Sequence, residues 1–140
     1  MRGMVLLGIV SFLSVVAGQE CKVREGYASW YGGKFHGRKT SSGEPFNKHK
    51  YTAASRDYPI GTYLLVRNLE NKKEVIVLVN DRGPKKKSRV LDLSMSAAER
   101  LGFLKKGVAR VQLIPLFCLS EEEIGEDQQE KVIKDLLNTL

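Results

Sequence analysis

Two acidic residues beside apolar strand-like segments are the strongest candidates for chemistry in this sequence. Asp81 follows the apolar run 74–79, and Asp92 stands between two leucines. A carboxylate in such surroundings is unfavourable unless it is paired or hydrogen-bonded. A carboxyl group in an apolar site can keep its proton near neutral pH, and a general acid acting on a glycosidic oxygen needs such a proton.

Both acids also have a purely structural interpretation. Asp92 is close enough to Ser94 to cap a helix that starts there. Asp81 can close an Asx-turn or pair with Arg82. From spacing alone, the structural interpretation is favoured for either acid taken singly.

Three polar clusters stand at the ends of predicted elements. They are residues 29–32, residues 42–47, and residues 80–84 followed by 91–94. Aromatic residues beside Gly-rich loops can stack on sugar rings, although they are also ordinary core residues of a barrel. Ser29-Trp30-Tyr31 followed by two glycines favours the floor of a groove.

The segments between these clusters are short and mostly apolar, which predicts a β-rich domain. Strands are predicted over residues 23–31, 51–55, 62–67, 74–79, 90–91 and 108–115. One helix is predicted over residues 94–101, with Ser94 or Ser96 as its N-cap and Gly102 as its stop. Many short strands with one helix predict a small closed β-barrel.

Length and composition exclude several classes of protein. The chain has 140 residues, of which 42% are apolar and 28% charged, so we expect one globular domain. Two cysteines and two histidines argue against a disulfide-stapled mini-protein and against a Cys-rich or multi-histidine metal site. We therefore predict no metal and no cofactor.

Charge is distributed unevenly along the chain. Residues 119–140 hold seven acids and two bases, a net charge of −5, whereas residues 18–118 hold twenty bases and nine acids, a net charge of +11. A basic body implies an anionic partner, such as nucleic acid, lipid headgroups or an acidic polymer.

The first residues have the pattern of a secretory leader. Arg2 precedes the apolar run 4–17, which ends in small residues, and this favours a signal peptide over residues 1–17. An uncleaved anchor is the alternative, but the run is short for a membrane span. Export to the periplasm or cell envelope excludes nucleic acid as the partner, and no later segment is apolar enough to span a membrane.

Cys21 and Cys118 bracket the predicted barrel and can oxidise outside the cytosol. We expect a disulfide, which would close a loop of roughly 100 residues and contribute about 4 kcal/mol in the chain-entropy model. Two free thiols are the alternative. Lipidation of Cys21 is disfavoured because Gln19-Glu20 is a poor match to a small-residue lipidation site.

The acidic tail over residues 119–140 places its apolar residues mostly at helical spacing. We expect an amphipathic helix that docks on the basic body or frays from it. The alternative is a helix that binds an envelope or division protein. We expect the protein to be a monomer.

Taken together, the clusters resemble the rare lipoprotein A (RlpA) family of septal-ring lytic transglycosylases. The resemblance runs from about residue 25 to residue 116 and rests on several motifs in the same order. These are residues 26–32 (Gly-Tyr-Ala-Ser-Trp-Tyr-Gly), 35–40, 43–46, 52–54, 59–62, 80–84 (Asn-Asp-Arg-Gly-Pro) and 92–94.

The resemblance implies a six-stranded double-psi β-barrel over residues 23–118 and cleavage of the MurNAc–GlcNAc bond of peptidoglycan. It also implies a preference for glycan strands that lack stem peptides, with 1,6-anhydro ends as products. The 6-hydroxyl of the sugar is then the nucleophile, so one carboxylic acid can serve first as acid and then as base.

The resemblance also implies roles for individual residues. Asp92 matches the key aspartate of related barrels, including expansins and MltA-type transglycosylases, and Asp81 and Glu44 match further catalytic or orienting positions. The residues expected to bind substrate are Ser29, Trp30, Tyr31, Arg82, His36, Asn47 and Ser55.

Two positions depart from the family pattern. Asn47 stands where many relatives have aspartate, and Ser55 stands where they commonly have histidine. Asn cannot donate a catalytic proton, and Ser is no base at neutral pH. The alternative function is therefore a peptidoglycan-binding or expansin-like wall-loosening module that does not cut.

Overall fold

A computed structural model describes residues 21–140 as a closed, six-stranded barrel. The predicted leader lies outside the described residues. The strands are β1 (Arg24–Trp30), β2 (Thr52–Ala54), β3 (Tyr63–Asn68), β4 (Glu74–Asp81), β5 (Arg89–Leu93) and β6 (Val108–Pro115). The predicted mostly-β double-psi barrel is confirmed, and every predicted strand is present with small shifts at its ends.

The strand order around the barrel is β1-β5-β2-β4-β3-β6. The pairs β1/β5 and β2/β4 are parallel, and the other four pairs are antiparallel. Strands that are distant in sequence therefore become neighbours, and the ends of β1, β2, β4 and β5 meet on one side of the barrel.

Buried and partly exposed residues alternate along the strands, and the buried side chains fill the interior of the barrel. In β3, Leu64 and Val66 are fully buried, whereas their neighbours are only partly covered. Strand β4 departs from this pattern because Ile76, which points away from the central core cluster, is also buried, at 1% exposure. A strand buried on both faces must be covered on its outer side by another element.

Within residues 21–118 the structure has one α-helix, α1 (Met95–Arg100), and two single-turn 3₁₀ helices, Gly33–Phe35 and Leu116–Cys118. The Ser94 hydroxyl accepts a hydrogen bond from the Ala97 amide at 3.3 Å, so Ser94 is the N-cap. Gly102 follows the helix with φ of +77°, a conformation that suits glycine. Because Ser94 is the cap, Asp92 is not needed for this purpose.

The acidic tail forms two helices, α2 (Glu121–Ile124) and α3 (Glu126–Leu137), instead of one. Gly125 separates them with φ of +73°, which a continuous helix cannot contain. Helix α3 lies against β4, where the buried Asp135 accepts a hydrogen bond from the Ile76 amide at 3.1 Å. The helix therefore covers the part of β4 that extends beyond the short strand β2.

Two further features complete the fold. Cys21 and Cys118 form a disulfide, with their Cα atoms 5.5 Å apart, which joins the start of the barrel to the segment after β6. Among residues 21–140, no helix combines the length and the apolar character that a membrane span requires.

Candidate active site

Four residues on four neighbouring strands form a row across the barrel. Ser29 of β1 pairs with Asp92 of β5, Asp92 pairs with Ala54 of β2, and Ala54 pairs with Asp81 of β4. Directly opposed residues place their side chains on the same face of a sheet. Since neighbouring strands are roughly 4.8 Å apart, the two aspartates stand about 10 Å apart along the row.

Ala54 keeps the space between the two carboxyl groups open, because its side chain is the smallest that still has a Cβ. The pairing of β2 with β4 shifts by one residue between Ala53 and Ala54. Irregularities of this kind are frequent beside functional sites because they re-aim a side chain. Here the shift brings Asp81 opposite Ala54.

A cavity of about 290 Å³ opens over this row. Its lining includes both aspartates, Ala54, three aromatic rings, and a rim of basic side chains. Asp92 therefore faces an open cavity, which is the arrangement that its chemical interpretation requires.

The Asp92 carboxylate is fixed by one partner. The hydroxyl of Ser29, itself 3% exposed, donates a hydrogen bond to Oδ1 of Asp92. Within the described part of the chain, the other carboxyl oxygen forms no hydrogen bond. The serine thus orients the carboxyl group and leaves one oxygen for a ligand.

Asp81 has a different environment. Its Oδ1 accepts hydrogen bonds from the Ser41 amide at 3.0 Å, the Ser41 hydroxyl at 2.7 Å and the Arg82 amide at 2.9 Å. This contact with the amide of the next residue is not the predicted Asx-turn, which uses the amide two residues on, and residues 21–140 contain no ion pair between Asp81 and the Arg82 side chain. The two contacts with Ser41 link Asp81 to the Gly- and Ser-rich loop over residues 37–46. Asp81 anchors this loop beside the cavity and also lines it.

Aromatic rings form the apolar wall of the cavity. Tyr31 packs edge-on against Phe46, with ring centroids 4.6 Å apart, and against Phe35 at 6.1 Å. Burial raises the pKa of Tyr31 well above its ordinary value, and the nearby carboxylates of Asp81 and Asp92 raise it further. The phenol is therefore protonated at any pH near neutrality.

Four basic side chains form the rim: Arg38, Lys39, Arg82 and Lys85. The Arg38 guanidinium lies 5.4 Å from the centroid of the Phe35 ring, and Arg82 donates a hydrogen bond to the Tyr58 carbonyl at 3.2 Å. All four side chains are exposed and outnumber the two aspartates. The rim therefore favours a ligand with negative charge or many hydroxyl groups.

Arg56 holds the loop that carries Lys85. Its guanidinium donates hydrogen bonds to the carbonyl oxygens of Pro84 and Arg89, the latter at 2.8 Å. The loop begins at the cis peptide between Gly83 and Pro84. Arg56 thus fixes one wall of the cavity from outside.

Six of the predicted site residues are not part of the cavity lining: Ser29, which donates a hydrogen bond to Asp92, and Glu44, Trp30, His36, Asn47 and Ser55. Glu44 is exposed in the 37–46 loop, and its carbonyl oxygen accepts hydrogen bonds from the Thr40 amide and hydroxyl. The Trp30 indole donates a hydrogen bond to the Leu104 carbonyl at 3.3 Å and packs on the core cluster. Trp30 points away from the cavity because adjacent residues of a strand face opposite sides.

Three further predicted residues accept hydrogen bonds from backbone amides: Ser55 and Asn47 within turns, and His36 between two loop segments. The buried Ser55 hydroxyl accepts hydrogen bonds from the amides of Asp57 and Tyr58, at 3.0 and 3.1 Å. Asn47 accepts one from the His49 amide at 2.9 Å, and Nδ1 of His36 accepts one from the Lys48 amide at 3.2 Å. None of these three residues is part of the cavity lining.

Several cavity residues are not among the predicted site residues. They are Phe35, Arg38, Lys39, Thr40, Phe46, Ala54 and Lys85. Three sequence signals point to part of this set: aromatic residues beside Gly-rich loops, the polar cluster over residues 42–47, and the Gly-, Ser-, Thr- and Lys-rich composition of residues 37–43. Ala54 could not be identified from its chemistry, because it has no reactive group. Its role is to leave space between the carboxyl groups of Asp81 and Asp92.

Comparison with known proteins gives a family match. The profile of the family described as "Lytic transglycolase" matches residues 23–113. The chain is 56% identical over 97 residues to the probable endolytic peptidoglycan transglycosylase RlpA of Aquifex aeolicus, covering 69% of this chain and 43% of that protein. It is 52% identical over 88 residues to the endolytic peptidoglycan transglycosylase RlpA of Neisseria meningitidis, covering 63% and 37%. The chain spans less than half the length of these relatives.

Solved structures share the fold at lower identity. The expansin of Clavibacter michiganensis is 24% identical with a TM-score of 0.56, covering 68% of this chain and 50% of that one. The Streptomyces papain inhibitor is 20% identical with a TM-score of 0.54, covering 67% and 94%. At this identity the likeness supports the barrel fold alone.

Proposed function

Given that the chain belongs to the RlpA-type lytic transglycolase family, we propose that it is a peptidoglycan lytic transglycosylase with Asp92 as its proton carrier. The observation that carries the proposal is the Asp92 carboxyl group, which lines an open cavity and is held by a single serine. A proton carrier must reach the reacting oxygen and must be oriented, and this arrangement meets both needs.

The proposed reaction needs one carboxyl group. Asp92 donates its proton to the glycosidic oxygen as the bond from that oxygen to C1 of MurNAc breaks. The 6-hydroxyl of the same sugar then forms a bond to C1 and returns its proton to Asp92. The 1,6-anhydro product contains no added water, and the acid is restored for the next turnover.

Asp81 and Glu44 are proposed to bind sugar hydroxyls. Asp81 uses Oδ1 to hold the 37–46 loop, which leaves its other oxygen for the cavity. Glu44 is exposed on the same loop, so it is assigned to the rim, where a bound strand would leave the cavity.

The other predicted binding residues divide into two groups. Tyr31 and Arg82 line the cavity and are proposed to contact the glycan. Ser29, Trp30, His36, Asn47 and Ser55 are proposed to position elements around it, because each has a side-chain polar atom that is hydrogen-bonded within the protein.

The basic rim is proposed to attract the wall polymer. Exposed charges act over about 10 Å at 0.1 M salt, so the attraction should weaken as ionic strength rises. Peptide-free strands carry free lactyl carboxylates, which match this charge. Binding to such strands should be weaker at 0.5 M than at 0.05 M sodium chloride.

We further propose that the protein is exported to the periplasm or cell envelope after removal of residues 1–17. The leader-like sequence supports this, as does the Cys21–Cys118 disulfide, since disulfides persist in oxidising compartments. Mass spectrometry of material from the periplasm would give the mature N-terminus. An intact Met1 in envelope fractions would contradict leader removal.

The function is tested by incubating purified protein with peptide-free glycan strands and measuring 1,6-anhydro ends by mass spectrometry. Asp92→Asn should abolish these products without altering the circular dichroism spectrum. Asp127→Asn, on the exposed face of α3, is the matched control and should retain full activity. Equal product release by Asp92→Asn and the native protein would refute the assigned role.

A second candidate is a module that binds peptidoglycan without cutting it. It is favoured by Ser55, which is buried and occupied in a turn, so this position offers no base to the cavity. The module would co-sediment with sacculi while releasing no anhydro ends. Binding without products from the native protein would establish this candidate and exclude the transglycosylase.

A further inference from the structure

A second cavity, of about 370 Å³, lies at the other end of strand β4 from the candidate active site. It is named the hairpin cavity here, because the hairpin between β3 and β4 supplies three of its lining residues. Glu74 and Asp81 are the first and last of the eight residues of β4. At about 3.3 Å per residue, their Cα atoms are about 23 Å apart. The two cavities share no lining residue and therefore form separate sites.

The hairpin cavity is strongly basic. Its lining consists of four basic side chains and one acidic side chain, namely Lys72, Lys73, Arg100, Lys131 and Glu74. These residues come from the hairpin, from the end of α1 and from α3. A run of charges along one element is usually a solvated face, but here three separate elements direct basic residues to one cavity.

The nearby acids are already paired. The Glu74 carboxylate accepts two hydrogen bonds from the Arg67 guanidinium, at 3.0 and 2.8 Å. Asp135 lies 3.8 Å from Arg100 and also accepts a hydrogen bond from the Ile76 amide. Neither acid is therefore available as the counter-charge of the lysines in the cavity.

The three lysines of the hairpin cavity have no counter-charge in the part of the chain that the structure describes. Within it, no ion pair involves the ammonium group of Lys72, Lys73 or Lys131. Like charges around one cavity repel one another, so an anion that binds between them would relieve this repulsion.

The backbone of Lys72 gives a second, independent indication. Lys72 has φ of +66° and is the one non-glycine residue among residues 21–140 with a positive φ. A side chain makes this conformation unfavourable, and glycine would adopt it without strain. Residues held in such conformations are concentrated at binding and catalytic sites. The turn alone does not explain why a lysine stands at this position.

Helix capping does not explain Lys73 either. A Cβ atom on Gly102 would lie 3.4 Å from the Lys73 ammonium nitrogen, so this group stands beside the end of α1, where a cation is commonly favourable. The Leu101 carbonyl at this end already accepts hydrogen bonds from the side-chain amides of Asn68 and Asn71, each at 2.9 Å. The ammonium group of Lys73 is therefore not required to cap the helix.

The number of cations indicates the chemical class of the anion. A carboxylate offers two oxygens and one negative charge. A phosphomonoester offers three terminal oxygens and a charge of about −1.5 to −2 at pH 7. Charge-assisted hydrogen bonds from several directions match the phosphomonoester better, because each cation can reach a different oxygen.

We propose that the hairpin cavity is a second, non-catalytic site that binds a phosphomonoester group through Lys72, Lys73 and Lys131, with Arg100 as a fourth cation. Such a group occurs on soluble compounds and on anionic lipid headgroups, and the test separates these two sources. The proposal goes beyond peptidoglycan cleavage and does not depend on it.

The test measures binding of glycerol 3-phosphate and of acetate by calorimetry at equal ionic strength. It compares the native protein with the hairpin variant, Lys72→Gly with Lys131→Gln, and with a control variant, Lys86→Gln with Lys87→Gln. Lys86 and Lys87 are exposed and line neither cavity, and their replacement removes the same net charge. A general attraction between anions and a basic protein would therefore fall equally in both variants.

We expect the native protein and the control variant to bind glycerol 3-phosphate more tightly than acetate, and the hairpin variant to bind it at least tenfold more weakly. The melting temperature of the hairpin variant should equal or exceed that of the native protein, since glycine removes the strain at position 72. Lost binding then reflects the site and not the fold. An equal loss of affinity in both variants, or no binding by the native protein, would overturn the proposal.

The source of the phosphate group is identified by flotation with phosphatidylcholine vesicles, with and without phosphatidic acid. Flotation of the native protein with phosphatidic acid vesicles, but not of the hairpin variant, assigns the site to a lipid headgroup. Binding of glycerol 3-phosphate without flotation assigns it to a soluble compound. Absence of anhydro ends from a native protein that binds phosphate would contradict the transglycosylase function alone.

Discussion

Ser29 and Asp92 are direct neighbours across the parallel pair of β1 and β5, and the serine hydroxyl donates a hydrogen bond to the aspartate carboxylate. The two residues are 63 positions apart in sequence. Backbone pairing between β1 and β5 fixes the positions of both Cα atoms. The barrel therefore holds the serine hydroxyl where it can orient the Asp92 carboxyl group. This relationship orients the Asp92 carboxyl group at the cavity.

Ser29→Ala should lower the rate of anhydro product release at least tenfold, because the carboxyl group of Asp92 loses the one hydrogen bond that orients it within residues 21–140. The variant should lose about 1.5–3 kcal/mol of unfolding free energy, as is typical for a hydrogen bond to a charged group. Product release is measured by mass spectrometry and stability by urea unfolding. Ser29→Thr, which keeps a hydroxyl, should recover most of the rate. An unimpaired rate in Ser29→Ala would show that the hydrogen bond has no functional role.

Alkaline pH should destabilise the protein through its buried tyrosines. Burial raises the pKa of both Tyr31 and Tyr58 above the ordinary value of 10.0. Above pH 10 the unfolded chain has lost these protons while the folded protein retains them. The unfolding free energy is therefore undiminished below that pH and falls above it, by at most about 1.4 kcal/mol per pH unit for each tyrosine.

Urea unfolding between pH 8 and pH 11 measures this effect. The unfolding free energy of Tyr31→Phe should fall less steeply with pH than that of the native protein. The reason is that the variant lacks one of the two phenol protons that the folded protein retains above pH 10. The unfolding free energy of Tyr27→Phe should fall as steeply as that of the native protein, since the Tyr27 side chain is exposed. Parallel curves for Tyr31→Phe and the native protein would contradict the assigned burial of the phenol.

Removal of the disulfide by a double Cys21→Ser and Cys118→Ser substitution should lower the unfolding free energy. The bridge closes a loop with a sequence separation of 97, for which the chain-entropy model gives about 4 kcal/mol. Urea unfolding of the variant and of the oxidised native protein gives the difference. A thiol count of two in the native protein isolated from the periplasm would show that the bridge does not form there.

Asp135→Ala should destabilise the protein without reducing its activity. The substitution leaves the buried Ile76 amide without an acceptor and removes the partner of Arg100, at a cost of about 1–3 kcal/mol. Glu130→Ala is the control, because its contact with Lys134 is exposed and should contribute less than about 1 kcal/mol. Thermal unfolding and product release are measured together. A variant that keeps its stability but loses activity would favour the interpretation of α3 as a functional partner helix.

The strands and the first helix could be predicted from sequence because their signals are local. The alternation of β3, the apolar run of β4 and the serine before α1 each depend on residues within one element. The break in the acidic tail at Gly125 was missed. Its helical spacing continues across the glycine, and only the backbone conformation there separates α2 from α3.

For the candidate site, the types of residue in the sequence indicated which side chains could do chemistry. The sequence did not show how those side chains are arranged in space. Asp81 and Asp92 could be selected because acids next to apolar strands are rare, yet their structural and chemical interpretations could not be separated from spacing alone. The structure assigns the cap of α1 to Ser94, directs Asp92 to the cavity and ties Asp81 to Ser41. It also commits the side-chain oxygens of Ser55 and Asn47 to turns.

The amino-acid sequence by itself determined where the chain extends, where it turns and which segments must be buried, because these properties follow from contacts between near neighbours. Only the tertiary structure decided that Ser29, Asp92, Ala54 and Asp81 share one row and that the Tyr31 hydroxyl is buried. That row depends on the strand order β1-β5-β2-β4, which brings together residues from four distant segments. In this order the six strands close into a barrel that buries their apolar side chains in one core.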